Sequence, residues 1–298
     1  MNLYFPFLNG NEKNTLFIIG NGFDLYHGLL SKYKHFCCWL NLNGYEDFVN
    51  DMQTVFCKLN GNIDRLWCNF ESALEEYDLS DIYSHYYRSP EDTLGNNKWD
   101  IANNRVADKV QDVCDKIRPL MKEWALQIRI DQAEQKIELP KESFYLTFNY
   151  TLLLEKLYGI PTNHICHIHG CVNDNELITG HDLDNGIEKF GAKSDEEEFA
   201  KQKIIKTINA LKKNQKQQYI KNEPFFLSLP PLSHVVVLGH SLSDVDLYYF
   251  GKILSFPNNE TIWHFSIHSD NDKMYINRFK RLCKQSRYAI TEGDSISL

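Results

Sequence analysis

The chain has 298 residues, 43% hydrophobic and 24% charged. That is the make-up of a globular protein with one large domain or two modest ones, and it argues against a disordered chain, a fibre or a repeat array. Lysine plus arginine number 32 against 40 aspartate plus glutamate, a net charge of −8, so a phosphate backbone is not the default partner and no nucleic-acid partner is expected, a local basic patch aside.

The first element in chain order is TLFIIG, residues 15–20. It is a continuous apolar run ending in glycine, the pattern of a strand covered on both faces. GNGFDLYHGLLSKYKHFCCWL follows with helical character, giving strand, glycine turn and helix, the start of an α/β domain. Between 41 and 140 the pattern changes. Leu66, Phe70, Leu74 and Tyr77 recur at helical spacing, as do Val106, Val110, Val113, Ile117, Met121, Trp124 and Ile128, which predicts long helices over 64–80 and 105–130. Pro119 is expected to kink or divide the second. SPEDTLGNNKWD, between them, is rich in turn formers. The stretch 41–140 reads as a helical insertion packed on an α/β domain built from 1–40 and 141–298.

Strand signals return at SFYLTFNY (143–150), HICHIHG (164–170) and ELITG (176–180). Residues 186–222 are charged and lysine-rich, with Phe190, Phe199, Ile204, Ile205, Ile208 and Leu211 at loosely helical intervals, as in a solvated helical pair. HVVVLGH (234–240) is the most strand-like segment, and TIWHFSIH (261–268) and RYAIT (287–291) read as later strands. The eight cysteines include the adjacent pair Cys37 and Cys38 and form no CxxC, which speaks against a zinc ribbon. MNLYFPFLNGNEKN lacks the basic start of a signal peptide, and no apolar run reaches the length of a membrane span. The expectation is a cytoplasmic protein with free thiols and no membrane partner.

Four segments have the residue types for chemistry, and each follows a strand. In IIGNGFD (18–24), Gly20 and Gly22 flank Asn21, and Phe23 and Asp24 follow. Such a turn brings backbone close to a diphosphate at a helix start, although many turns need glycine for conformation alone. The full G-x-G-x-x-G fingerprint fails at Leu25. In TFNYT (147–151), Thr147 and Asn149 can bond a ribose or orient a water, or simply form an Asx turn with Thr151 as a helix cap. In HIHG (167–170), alternation puts His167 and His169 on one strand face. A histidine at a strand's carboxyl end suits acid–base work, or is structural. In LGHSLSDVD (238–246), Gly239 and His240 are followed by Ser241, Ser243, Asp244 and Asp246, which can bond a sugar or cap a helix. Open α/β sheets bind ligands beyond the carboxyl ends of their strands, where all four segments fall.

LFIIGNGFDLYHGLLSKYKHF, WCNFESAL, TFNYT, HIHG and VVLGHSLSDVDLYYF, in that order, resemble the bacterial AbiH family, named for abortive infection of phage-infected cells. More distantly they are similar to sirtuin-like NAD-binding domains. In that comparison Gly20, Gly22 and Gly28 fall at the sirtuin glycines and Tyr33 where an arginine would be. Thr147 to Thr151 align with Thr-Gln-Asn-Ile-Asp, His169–Gly170 with His-Gly, and Gly239 to Leu242 with Gly-Thr-Ser-Leu. The departures are Thr151 for the aspartate that would hold nicotinamide, Tyr33 for the arginine, Leu30 for a proline, and no zinc-binding cysteines. Protein deacylation is therefore disfavoured.

The resemblance implies a Rossmann-like, sirtuin-like parallel sheet flanked by helices, and a phage-defence effector hydrolysing NAD to nicotinamide and ADP-ribose. In that reading Asn149 positions the water and His169 is the general base. The diphosphate lies on Gly20, Asn21, Gly22, Phe23 and Asp24, with Tyr33 and Thr147 nearby. The adenosine end meets Gly239, His240 and Ser241, and Asp24, with Asp244 or Asp246, adds negative potential. Glu71, in an Asn-Phe-Glu motif, is a lesser candidate, or a surface or capping carboxylate. No metal is expected. The rival readings are an inactive nucleotide sensor that signals to a partner, and a nuclease or other hydrolase using His167, His169, His181 and Asp182 around a metal. NAD or a related nucleotide is the expected ligand. A homo-oligomer through the long helices, or a phage-derived trigger, is the expected protein partner.

Overall fold

The structure, a computed structural model, describes residues 4–57, 63–87, 98–182, 194–255, 261–285, 291–293 and 295–297. It divides into two compact units, Met1–Ser31 with Ala125–Leu177 and Asn214–Leu298, and Lys32–Trp124 with Ile178–Lys213.

The first unit is built on a parallel sheet. Its strands are β1 (Thr15–Ile19), β2 (Phe144–Thr147), β3 (Ile165–His167), β4 (His234–Leu238), β5 (Ile262–Ile267), β6 (Thr291–Glu292) and β7 (Ile296–Ser297). The order is β3-β2-β1-β4-β5-β6, with β7 beside the far end of β5, and every described pairing is parallel. Strands β1 and β4 are buried at every residue, because helices cover both faces of a parallel sheet. On one face Leu16, Ile18, Leu146, Val235 and Val237 pack with Phe226, Tyr249, Phe250 and Phe279. On the other, Phe17, Ile19, Tyr145, Val236 and Leu238 pack with Phe23, Leu153, Leu154 and Tyr158. This order is that of a doubly wound Rossmann-like sheet, in which the order of strand addition reverses between β1 and β4.

The second unit is helical. It holds Tyr33–Leu42, Glu46–Phe56, Ile63–Cys68, Phe70–Ala73, Leu79–Tyr86, most of Lys98–Leu126, and Asp195–Asn209. Phe36 is its aromatic centre, with Trp124, Trp67 and Phe70 rings at 5.3, 6.1 and 6.2 Å. The expected stripe from Val106 to Trp124 is buried. Pro119 lies within one continuous helix, Lys98–Leu126: the stripe packs on both sides of it, which outweighs the one donor proline lacks. The long helix expected over 64–80 is instead three short ones. Asp78 caps the last, accepting from Ser80 N–H at 2.7 Å and Asp81 N–H at 3.3 Å, and a capping aspartate favours a fresh start over continuation. ELITG is not a strand. Phe190 and residues 287–290 lie outside the described residues, and Phe199 faces solvent. No described helix is long and apolar enough to cross a membrane.

Candidate functional site at the carboxyl edge of the sheet

Ile19, Thr147, His167 and Leu238 form one row across four parallel strands. Main-chain bonds run on past it, from Gly20 N–H to Leu238 O at 2.9 Å and from Phe148 N–H to Ile19 O at 2.9 Å. The polar residues of the four segments that follow β1, β2, β3 and β4 begin at this row or just beyond it.

The turns after β1 and β4 meet backbone to backbone. A Cβ at Gly20 would stand 2.4 Å from His240 Cα, and one at Gly22 would stand 2.7 Å from Gly239 Cα. Gly22 N–H donates to Gly239 O at 2.8 Å, and Phe23 N–H to Gly20 O at 3.0 Å. Gly239 adopts φ +63°, which glycine takes without strain, and its N–H donates to Ser266 Oγ at 2.8 Å. These glycines therefore meet a packing requirement of their own. Asn21 is exposed and donates from Nδ2 to Ser31 O at 3.1 Å, while the Phe23 ring is in the core.

One cluster gathers around Asp24, which is buried in the first helical turn. Asn149 donates from Nδ2 to Asp24 Oδ1 at 2.8 Å and to Gly20 O at 3.1 Å. Thr151 Oγ1 donates to Asp24 Oδ2 at 2.7 Å, so it serves the carboxyl and is not the cap of helix Leu153–Lys156, whose N-cap is Leu152. The main chain of Asn149 is held as well: its N–H donates to Thr147 Oγ1 at 3.1 Å, and its carbonyl accepts from His167 Nδ1 at 3.1 Å. His167 Nε2 lies 2.8 Å from Glu155 Oε1. Burial pushes the Asp24 carboxyl up to about 7, against the pull of the Thr151 and Asn149 hydrogen bonds and of His167.

A second cluster centres on Asp246, whose Oδ1 is 3.5 Å from His169 Nε2 and whose Oδ2 is 3.6 Å from His240 Nε2. Ser243 Oγ donates to the same carboxylate at 3.3 Å. Phe148 stands edge-on to both imidazoles, at 5.1 Å from His169 and 4.3 Å from His240. His240 Nδ1 accepts from Leu242 N–H at 2.9 Å, in a turn tight enough to hold Leu242 at φ +52°. Gln215 Nε2 donates to Val245 O, tying the turn Asp244–Asp246 to helix Gln215–Lys221. Ser241 is exposed, and the side chain of Asp244 lies outside the described residues.

Successive residues of one turn thus feed the two clusters, Phe148 one and Asn149 the other. His167 and His169 also part, because β3 ends at His167 and the strand alternation goes no further. Tyr33 is in the helical unit, stacked on Phe70 at 4.9 Å. Glu71 is there too, with both carboxylate oxygens 3.0 Å from Lys213 Nζ. His181 Nε2 bonds Ile208 O at 2.9 Å, and Asp182 N–H donates to Glu75 at 3.0 Å. Among the described residues no group of three or more His, Cys, Asp or Glu is arranged to hold a metal ion. Sequence reasoning missed Phe148, Glu155 and Lys213. Only Phe148 carried a signal, its place inside TFNYT.

No curated protein and no solved structure matches this chain. The family model described as bacteriophage abortive infection AbiH matches residues 16–267, from the second residue of β1 to the last of β5. With that much of its length matched, the chain belongs to the AbiH family of bacteriophage abortive infection.

Proposed function

We propose that this AbiH protein is a phage-defence effector that binds NAD at the carboxyl edge of the sheet and hydrolyses its nicotinamide glycosidic bond. The observation that carries the reading is the order β3-β2-β1-β4, which brings Gly20–Asp24, Asn149, His169 and Gly239–His240 to one edge at the point where the strand order reverses. Sheets of this kind take dinucleotides there. Breaking the bond gives the ribose oxocarbenium character and needs a placed water and a base. Asn149 spends both amide hydrogens on Asp24 and Gly20, so it meets the water through its carbonyl oxygen, as an acceptor. His169, faced by Asp246 as its orienting carboxylate, takes the proton. Thr151 stands where sirtuin-like proteins carry an aspartate, and in this reading it acts through Asp24.

Such an effector would poison its host unless silent before infection, so activity requires a trigger. The test is cellular NAD in infected and uninfected cells expressing the protein, together with nicotinamide release by purified protein mixed with infected-cell extract. The expected result is NAD loss on infection only, reduced about 100-fold by Asn149→Ala or His169→Ala. Protection against phage with NAD unchanged would overturn the reading. So would full turnover by unstimulated purified protein, for the trigger. A second reading, a nucleotide sensor without turnover, is favoured by the internal bonding of Gly22 N–H and of both Asn149 amide hydrogens. Calorimetry showing tight NAD binding with no nicotinamide released would select it.

A further inference from the structure

We infer that Asp24 is the positioning residue of Asn149: its carboxyl fixes which way the Asn149 amide faces, and Thr151 fixes the carboxyl. The inference rests on the hydrolase reading for its meaning but not for its geometry. A side-chain amide can present either its oxygen or its nitrogen to a ligand, and only its surroundings decide. Here the decision is made on the nitrogen side. Gly20 O accepts one Nδ2 hydrogen at 3.1 Å, and Asp24 Oδ1 accepts the other at 2.8 Å. Both acceptors lie at the start of the helix after β1, so the planar amide points its carbonyl oxygen the opposite way.

The main chain of the same residue is pinned from both ends. Thr147 Oγ1 accepts its N–H, and His167 Nδ1 lies against its carbonyl. The side-chain partners of the Asp24 carboxyl are neutral: the Asn149 amide and the Thr151 hydroxyl, at 2.8 and 2.7 Å. A carboxyl buried among apolar neighbours such as Phe23 costs stability unless it is fully bonded. An apolar residue would fill this helical position more cheaply, and what the carboxyl adds is orientation. Locking a reacting group before substrate arrives is how a site avoids reorganising during the reaction.

The experiment uses the full chain labelled with ¹⁵N-asparagine, with the Asn149 side-chain signal assigned by its loss in Asn149→Asp. Hydrogen exchange of that amide is measured in the wild-type protein and in Asp24→Asn, Asp24→Leu and Thr151→Val. Nicotinamide release is measured on the same preparations under triggering conditions. Asparagine at position 24 still offers an oxygen to Nδ2, whereas leucine cannot. The expected result is slow exchange in the wild type and Asp24→Asn, and exchange faster by about tenfold or more in Asp24→Leu. In the same variant kcat falls by about tenfold to a hundredfold with KM within about twofold, and Asp24→Asn restores most of the loss. Thr151→Val moves exchange in the same direction, and it is the deciding variant if Asp24→Leu does not fold. Exchange that is fast in the wild type, or unchanged in both Asp24→Leu and Thr151→Val, overturns the inference. Exchange that responds as expected in a protein that never releases nicotinamide leaves the positioning role standing and removes the hydrolase reading.

Discussion

Asp24 and the buried histidines pull the pH dependence of stability in opposite directions. The Asp24 carboxyl is raised from 3.8 to about 7, so between those values the folded chain holds a proton that the unfolded chain releases. Its contribution to stability is greatest at the acid end and is lost as pH rises toward 7. Asp24→Asn removes that penalty, so thermal melts of the variant should match wild type near pH 4 and exceed it at pH 8, by roughly a few kcal/mol at most. His27 and His234 are lowered from 6.5 by burial. Burial favours their neutral forms in the folded chain, so the stability they support is lost as pH falls below 6.5. Lys213 makes the residue-scale limit of sequence reading plain. It sits beside Lys212 in a lysine-rich stretch that reads as solvated, yet its side chain is fully buried against Glu71. Nothing local separates the two lysines, because the partner that decides is 142 positions away. Lys213→Ala should cost about 3 kcal/mol in denaturant melts by taking this ammonium from the Glu71 carboxylate.

At the scale of elements, the long buried strands were legible, whereas the two-residue β7 was not foreseen, ELITG is not a strand and the helix boundaries could not be read. Buried strands such as Thr15–Ile19 and His234–Leu238 advertise themselves as apolar runs bounded by glycine. The break over 64–80 depends on whether Asp78 caps or continues, and Pro119 on packing from both sides, choices that tertiary contacts make. The paired glycine turns were visible as glycines, but their reason was not, since each is the space the other needs. Gly22→Ala should therefore lower stability by about 1–3 kcal/mol in urea melts, because a methyl 2.7 Å from Gly239 Cα has only backbone to push. An alanine at Gly28, φ +80° with open space around its Cβ, should lose about 1 kcal/mol, the strain of that backbone alone.

For the molecule as a whole, the sequence pointed to one sheet edge, and the strand order brings the four motifs to it. The two separate clusters at that edge were not legible, because which of Phe148 and Asn149 turns to which side depends on partners in the turns after β1 and β4, Gly20 and His240. The sheet is also assembled out of chain order. Its central strand β1 is made first, but its neighbours β2 and β4 end at Thr147 and Leu238, with helical stretches translated in between. Asn149 reaches Gly20 across 129 positions, and Gly22 is closed by Gly239. A nascent chain still on the ribosome before that point holds β1 without its β4 partner, and sheet closure waits for most of synthesis. A chain truncated before β4 would lack one side of the edge and leave Gly22 N–H without its Gly239 partner.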